Sequence, residues 1–509
     1  MKRFFLFQCL RYFLCLSLFP ALSVAFSVSP CAAETADSTQ LPAYTQKIIL
    51  EFNSPGAARQ AVCEKLELPA GKTLALSARW DDTNGEHLLM TKTLAENGWK
   101  GTYFLNRCDE NYAKNVVEPI LKDGGSIGVH TLTHPHLETV SPNRMFYEIL
   151  GNRVDLEVKT NQCVTTFTFP FGLGSKPDSL TSAREQGEAL KRCGLLGGPE
   201  TINMAERMEL KPEEFISPYR FVADDSDPKL ETFEKGFENG LNQLKAGKSV
   251  CGPYLALGTH SWQRRVHPDG FERLSKILAT KANQPEIWHC NSNEYTAYRT
   301  NYVLKNAVKT TVDGSKVTLE LLRCQPEFTG AQVPLGVKVT PCPTSATLLE
   351  GAPQGENLAL EVTAAGEIMV PETRSLPVGI DRTDNDSNGS EKSESLQCTK
   401  IPGLFIGTRL DAQESVLRLY VRNATGKEMK NATAIVRCPL KYGLPETKTD
   451  WLAVNGLPQI ASESLEEAFP LKAVSDEKYA VDAQFFDVQW DFELDGQKYR
   501  VHATTTVNP

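Results

Sequence analysis

Apolar and polar positions change rhythm along the chain, and each rhythm predicts a different kind of element. From about Gly71 to Tyr298, short β-prone runs alternate with stretches of helical spacing. The run "KTLALSARW" leads into a helical pattern that ends at Gly98. "KGTYFLN" is followed by "NVVEPILKDGG", and "SIGVH" by a helix that Ser141 caps and Pro142 opens. Phe146, Ile149, Leu150 and Val154 then recur on one face of that helix. "CVTTFTFPFG" reads as a fourth strand. "CGLLGG", "FISPYRFVAD", "PYLALGTHSW" and "PEIWHC" supply further apolar runs between helical segments. This alternation predicts a parallel sheet with helices outside it, open or closed into a barrel.

After about Thr300 the spacing falls to two. "AVKTTVDGSKVTLELL" predicts a hairpin around an Asp-Gly turn, and "FFDVQWDFELDGQKYRVHATTTV" predicts another. Between them, residues 381–395 hold no apolar residue, and 381–398 read as a flexible linker. The tail therefore divides into a β-rich module over 301–380 and a second over 399–509, both sandwich-like. The α/β segment occupies 70–300. Residues 34–69 read as a lead-in to it.

The first residues follow a different logic. A basic start at Lys2 and Arg3 precedes an apolar run, and small residues end at Ala25 and Ala33. This is the pattern of a secretory signal peptide over 1–33, so the expected location is secreted or periplasmic. No later run is long enough to span a membrane. Removing Lys2, Arg3 and Arg11 with the signal makes a formal charge of −9 more negative by three. Such an acidic chain is poorly suited to nucleic acid phosphates or anionic lipid. Three of the 13 cysteines lie in the signal region. The others are widely spaced, which permits disulfides in an exported chain and offers no zinc ribbon.

The candidate chemistry sits where predicted strands end. Asp81 and Asp82 close the first strand. Two adjacent like charges read either as a turn that caps the next helix or as a site needing two carboxylates with different tasks. His130 and His134 follow the third strand. Their spacing would put them on one helix face, as in a zinc protease, but Thr131 stands where that motif has glutamate. Pro135 also drives His134 out of helical geometry. The pair thus belongs to a loop at the end of a strand, where β/α folds bind ligands. One aspartate and two histidines suit a divalent ion such as Zn²⁺ with positions left for water. The second aspartate is then free to act as a base. Isolated loop histidines are more often incidental, and Trp262 and Trp288 are more often core aromatics than sugar platforms. His87 reads as a surface residue. His267, His289 and His502 have no chemical context.

Taken in order, these motifs resemble the polysaccharide deacetylases, the NodB-homology fold of carbohydrate esterase family 4. The resemblance covers a little under half of the chain. It rests on "WDD", on "HTLTHP", on Pro170, Phe171 and Gly172 in "FTFPFG", and on His260 in "LALGTHSW". It implies a distorted (β/α) barrel bearing a metal-dependent amidase or esterase site. Asp82, His130 and His134 would hold the metal. Asp81 would be the general base on the attacking water, and His260 the acid for the leaving group. The backbone near Pro170 and Phe171 would face the oxyanion, with Trp262 beside the substrate. The implied substrate is an N- or O-acetylated glycan. Two departures stand out. Thr168 occupies the place where many members carry an arginine that orients the base, and Thr83 follows the Asp pair where glycine is usual. The missing arginine motivates a rival reading, a carbohydrate-binding protein on an inactive barrel. A hydrolase of a non-sugar amide is the other.

Overall fold

The computed structural model describes residues 41–508 apart from 175, 201–203, 212–214, 217–218, 223–230, 248–251, 306, 351–354, 387–395, 444–450 and 455–463. The expected signal peptide lies outside the described residues. Among them, no helix is long and apolar enough to cross a membrane.

The α/β segment is built on the strand Leu74–Asp81. Tyr254–His260 pairs along one edge of it. The other edge is shared: Ile287–His289 lies beside residues 74–76, and Gly101–Leu105 beside 78–81. Ser126–Val129 extends the sheet on one side and Tyr219–Val222 on the other, and every pairing is parallel. Period-two alternation then splits the central strand. Leu76, Ala78 and Trp80 join the buried cluster that includes Met90, Leu94 and Ile120 of the outer helices. Ser77, Arg79 and Asp81 take the opposite face.

Among the described residues no closed barrel ladder is found, so the expected distorted (β/α) barrel is seen only as an open parallel sheet. Beyond Val129 the parallel pairing continues only as isolated bridges, Val129 to Phe167, Thr166 to Gly197 and Gly197 to Ile216. The "CVTTFTFPFG" run is therefore a crossing with one bridge on each side, and Pro170 beyond it has no N–H to donate. Close approach replaces ladder pairing here. A Cβ on Gly198 would lie 1.9 Å from the Phe167 carbonyl oxygen.

The remaining chain is β-rich. Ala43–Glu51 pairs antiparallel with Lys316–Cys324 and with Ser345–Leu348. Val62–Lys65 joins Leu335–Thr340 in a second sheet. Residues of the lead-in thus complete two sheets whose other strands follow residue 307, and both sheets feed one buried cluster that includes Ile48, Leu319 and Val337. The Asp313-Gly314 hairpin forms as the sequence predicts. In the C-terminal region, the hairpin Gln484–Leu494 with Gln497–Val507 lies at the centre of a five-stranded sheet. A four-stranded sheet containing Leu404–Asp411 and Val416–Asn423 shares its apolar cluster.

Residues 381–386 are not linker. Gly379–Asp386 is a strand running parallel to Gln497–Val507. Asp381 is buried, accepting from Thr399 Oγ1 at 2.8 Å and the Lys400 N–H at 2.6 Å. The strand's partners include the polar His502, Thr504, Thr505 and Thr506. Residues 387–395 of the expected linker lie outside the described residues, and at its end Leu396–Gln397 is again a strand and Cys398 is buried. The nine described cysteines are free thiols, so the disulfides allowed by the count are not formed among the described residues.

The long helix Pro142–Thr160 joins the α/β segment to the C-terminal sheet. Ser141 caps it as expected, accepting from the Arg144 N–H at 3.1 Å. Its first turns touch residues 479–485, through Asn143 to the Tyr479 carbonyl and Tyr147 to the Phe485 ring. Its last turns enter a buried charge network. Glu157 accepts from Arg153 Nε and Arg500 Nη1, each at 2.9 Å. His502, which the sequence left without a context, is buried between Glu157 and Asp487, its ring nitrogens 2.9 and 3.0 Å from their carboxylates.

Candidate metal and hydrolytic site

Four segments meet at the C-terminal end of the sheet. Asp81 is the last residue of its strand, and Asp82 follows with φ 69°. This left-handed turn is sparsely populated by non-glycine residues, and it sends the two carboxylates to different partners. Asp82 faces three imidazoles. Its Oδ1 lies 3.3 Å from His134 Nε2 and 3.7 Å from His130 Nε2, and its Oδ2 lies 3.7 Å from His260 Nε2. Asp81 turns inward to Arg79, whose Nε donates to Oδ1 at 2.9 Å and whose Nη2 donates to Oδ2. Thr168 Oγ1 is 3.3 Å from the same Oδ1.

The donor atoms of Asp82, His130 and His134 all lie within 4.8 Å of one another. Atoms held 2.0–2.2 Å from one tetrahedral ion stand roughly 3.3–3.6 Å apart, close to the spacings from Asp82 to these two histidines. The residues therefore fit a divalent ion. The outer hydrogen bonds fit as well. His130 Nδ1 is 2.9 Å from the Thr168 carbonyl oxygen. A carbonyl only accepts, so Nδ1 carries the proton and Nε2 presents its lone pair towards Asp82. Burial pushes the His130 imidazole below its ordinary value, against the pull of the Asp81 carboxylate, which favours the neutral, ligating form.

The His130–His134 loop is held from behind. Asn152 accepts the His130 N–H at 3.1 Å, and Asn106 donates to the His130 carbonyl at 2.7 Å. Glu148 accepts from the Thr133 N–H at 2.8 Å and the Thr133 hydroxyl at 2.6 Å. Thr131 and His134 both adopt left-handed φ, 67° and 58°. Such strain persists only where the surroundings over-determine it, and these bonds, from Asn106 and from Glu148 and Asn152 of the long helix, do so.

The sequence missed His87. It is fully buried, not at the surface. Its Nε2 donates to the Asp82 carbonyl at 2.6 Å, and its Nδ1 lies 2.7 Å from Ser261 Oγ. Burial pushes it down to about 4, so it is neutral near pH 7. His87 thus ties the Asp82 turn to the segment beside His260. The available signal was its place in the first helical turn after the Asp pair, which aims the ring back towards Asp82. His87→Ala is expected to weaken any divalent-ion binding at the Asp82, His130 and His134 donors roughly 10–100-fold, the scale of a lost outer-shell partner. Calorimetric titration of metal-free protein measures this.

Two aromatic rings flank the cluster. Phe171, 64% exposed and left-handed at φ 58°, stacks on His136 at 3.9 Å and meets His134 edge-on at 4.6 Å. Trp262 stacks beside His260 at 5.2 Å. Pro170 is buried under the loop that carries Phe171.

Residues 80–189 match the family model for polysaccharide deacetylases. The match falls on the stretch that carries the first three motifs of that resemblance. The matched stretch contains Asp81, Asp82, His130, His134 and Phe171, and it ends before His260. No curated protein matches the chain. Among solved structures, a peptidoglycan deacetylase from Bacillus subtilis is 14% identical with a TM-score of 0.27, over 44% of this chain and 91% of that one. A family 4 carbohydrate esterase from Streptomyces lividans in complex with acetate is 16% identical with a TM-score of 0.29, over 44% and 93%. A chitin deacetylase from Colletotrichum lindemuthianum is 14% identical with a TM-score of 0.30, over 45% and 92%.

Proposed function

We propose that the protein is an exported, divalent-metal-dependent deacetylase of N- or O-acetylated glycans. One observation carries this reading: the three clustered donors of Asp82, His130 and His134 stand beside a separately held carboxylate, Asp81. Zn²⁺ is the ion we assign, because mixed carboxylate and imidazole donors suit it. Bound there, it supplies Lewis acidity to the acetyl carbonyl and makes a nearby water more acidic.

The chain's own residues do the rest. Asp81 takes the proton of the attacking water. The Phe171 N–H faces the oxygen that gains negative charge at the acetyl carbon. His260, across Asp82 from the other histidines, hands a proton to the departing nitrogen or oxygen of the sugar. The rings of Phe171 and Trp262 offer apolar faces to it. The inactive-barrel reading loses its motive, since Asp81 does have a guanidinium partner, in Arg79.

The test is acetate release by chelator-stripped protein after zinc is restored, on N-acetylglucosamine oligomers, acetylated xylan and small amides. Zinc-restored release from a glycan, absent in Asp81→Asn, is the expected result. Release only from small amides would transfer the site to a non-sugar substrate. No release from any of them would remove the catalytic reading.

A further inference from the structure

We propose that Arg79 is the positioning residue of Asp81, an assignment that rests on the catalytic reading above. Arg79 precedes Asp81 by two in one strand, so both side chains leave the same face. Arg79 is 1% exposed and Asp81 7%. The guanidinium meets the carboxylate fork to fork, through Nε to Oδ1 and Nη2 to Oδ2. Of the ways to hold a carboxylate, this one fixes the plane of the group as well as its place.

The surroundings are shaped for that guanidinium. The Phe104 ring lies 6.0 Å from its central carbon. Phe104 in turn requires residue 128 to be glycine, because a Cβ there would sit 2.4 Å from the ring. Thr168 completes the arrangement. Its hydroxyl is 3.3 Å from Asp81 Oδ1 and 2.9 Å from His130 Nδ1. One buried chain of contacts thus runs from Arg79 through Asp81 and Thr168 to His130. It fixes the carboxylate relative to the metal cluster, which a lone ion pair would not. A side chain at 168 also reaches Asp81, so positions 79 and 168 are two seats from which one guanidinium could serve the same carboxylate.

Three variants test this: Arg79→Lys, Arg79→Thr, and Arg79→Thr with Thr168→Arg. Each is measured for zinc affinity, melting temperature, and kcat and KM of acetate release. Arg79→Thr is expected to bind zinc within threefold of wild type and keep its KM. Its kcat should fall about a hundredfold, the scale of a misplaced reacting group. Lys should recover little, lacking the fork. The relocated arginine should recover at least tenfold of the lost kcat and raise the melting temperature above that of Arg79→Thr. A kcat for Arg79→Thr within threefold of wild type would overturn the proposal. So would a folded double variant that regains stability but no turnover, which would leave Arg79 only structural. If Arg79→Thr does not fold, Arg79→Met with Asp81→Asn replaces it. Recovery of melting temperature over Arg79→Met alone then supports the pair, and no recovery overturns it. If wild type releases no acetate, the catalytic reading fails, whereas the melting temperatures still decide whether residue 168 can seat Asp81's partner.

Discussion

Asp82→Asn is expected to abolish both zinc binding and acetate release, whereas Asp81→Asn should abolish release and leave zinc bound. The two residues are neighbours of the same type, and only the turn between them separates their tasks. Asp82 presents its carboxylate to His130, His134 and His260. Converting it to an amide removes the negative charge that a dication between those rings requires. Zinc affinity should therefore fall by more than the 10–100-fold typical of an outer-shell partner. Asp81 is held by Arg79 and Thr168, beside the donor cluster but with separate partners. Its amide keeps the volume and loses the base. Metal content after dialysis and the rate of acetate release separate the two outcomes. Equal zinc loss in both variants would mean that both carboxylates are ligands.

Glu157→Gln is expected to destabilise the protein by about 3–5 kcal/mol, the usual consequence of breaking a buried charge pair. Glu157 is fully buried and meets Arg153, Arg500 and His502 together. Burial alone would raise its carboxyl. The Arg153 and Arg500 guanidinium groups and His502 outweigh burial and hold it well below the usual carboxylate range. Burial alone would also lower His502. Asp487 and Glu157 outweigh it and raise the imidazole above its ordinary value of 6.5. The geometry agrees, because a ring with a carboxylate on each nitrogen must donate from both.

The signs then set a pH window. A depressed carboxylate stabilises the fold above its unfolded pKa and loses that contribution as pH falls through the folded one. A raised histidine stabilises below its unfolded pKa and loses that contribution as pH rises through the folded one. Both contributions are complete between the ordinary values of 4.5 and 6.5. Stability should decline on either side, and His502→Ala should remove the alkaline decline selectively. Denaturant titrations at a series of pH values measure this. An unchanged alkaline limb in His502→Ala would refute it.

The candidate site was legible where its residues are written in adjacent letters. The paired aspartates and the His-x-x-x-His-Pro loop needed no structure to be found. Hairpins marked by Asp-Gly were equally plain, since that turn demands positive φ at residues that tolerate it. What stayed hidden depends on partners far away in sequence. His87 looks exposed on its helix until Ser261 arrives from 174 residues away. His502 is unremarkable until Glu157 packs on it from another segment. Arg79 was readable in principle, being two residues from Asp81, but alternation does not reveal which face is polar and interior. Composition misled at 381–386, where a polar stretch pairs along its whole length with the strand Gln497–Val507. It also cannot tell an open parallel sheet from a closed one, because the outward helices bury the same residues in both.

The first β-rich region is interrupted by the whole deacetylase-like segment. Ile48 pairs with Leu319, so roughly 270 residues must leave the ribosome before that strand can find its partner. At about 5–20 residues per second, the wait lasts on the order of 14–54 seconds. During that time the apolar Ile48 and Leu50 belong to a strand with an open edge, the kind of segment that pairs with other chains when left uncovered. Synthesis therefore runs against assembly here: the strand Ala43–Glu51 waits for partners made only after the whole α/β segment.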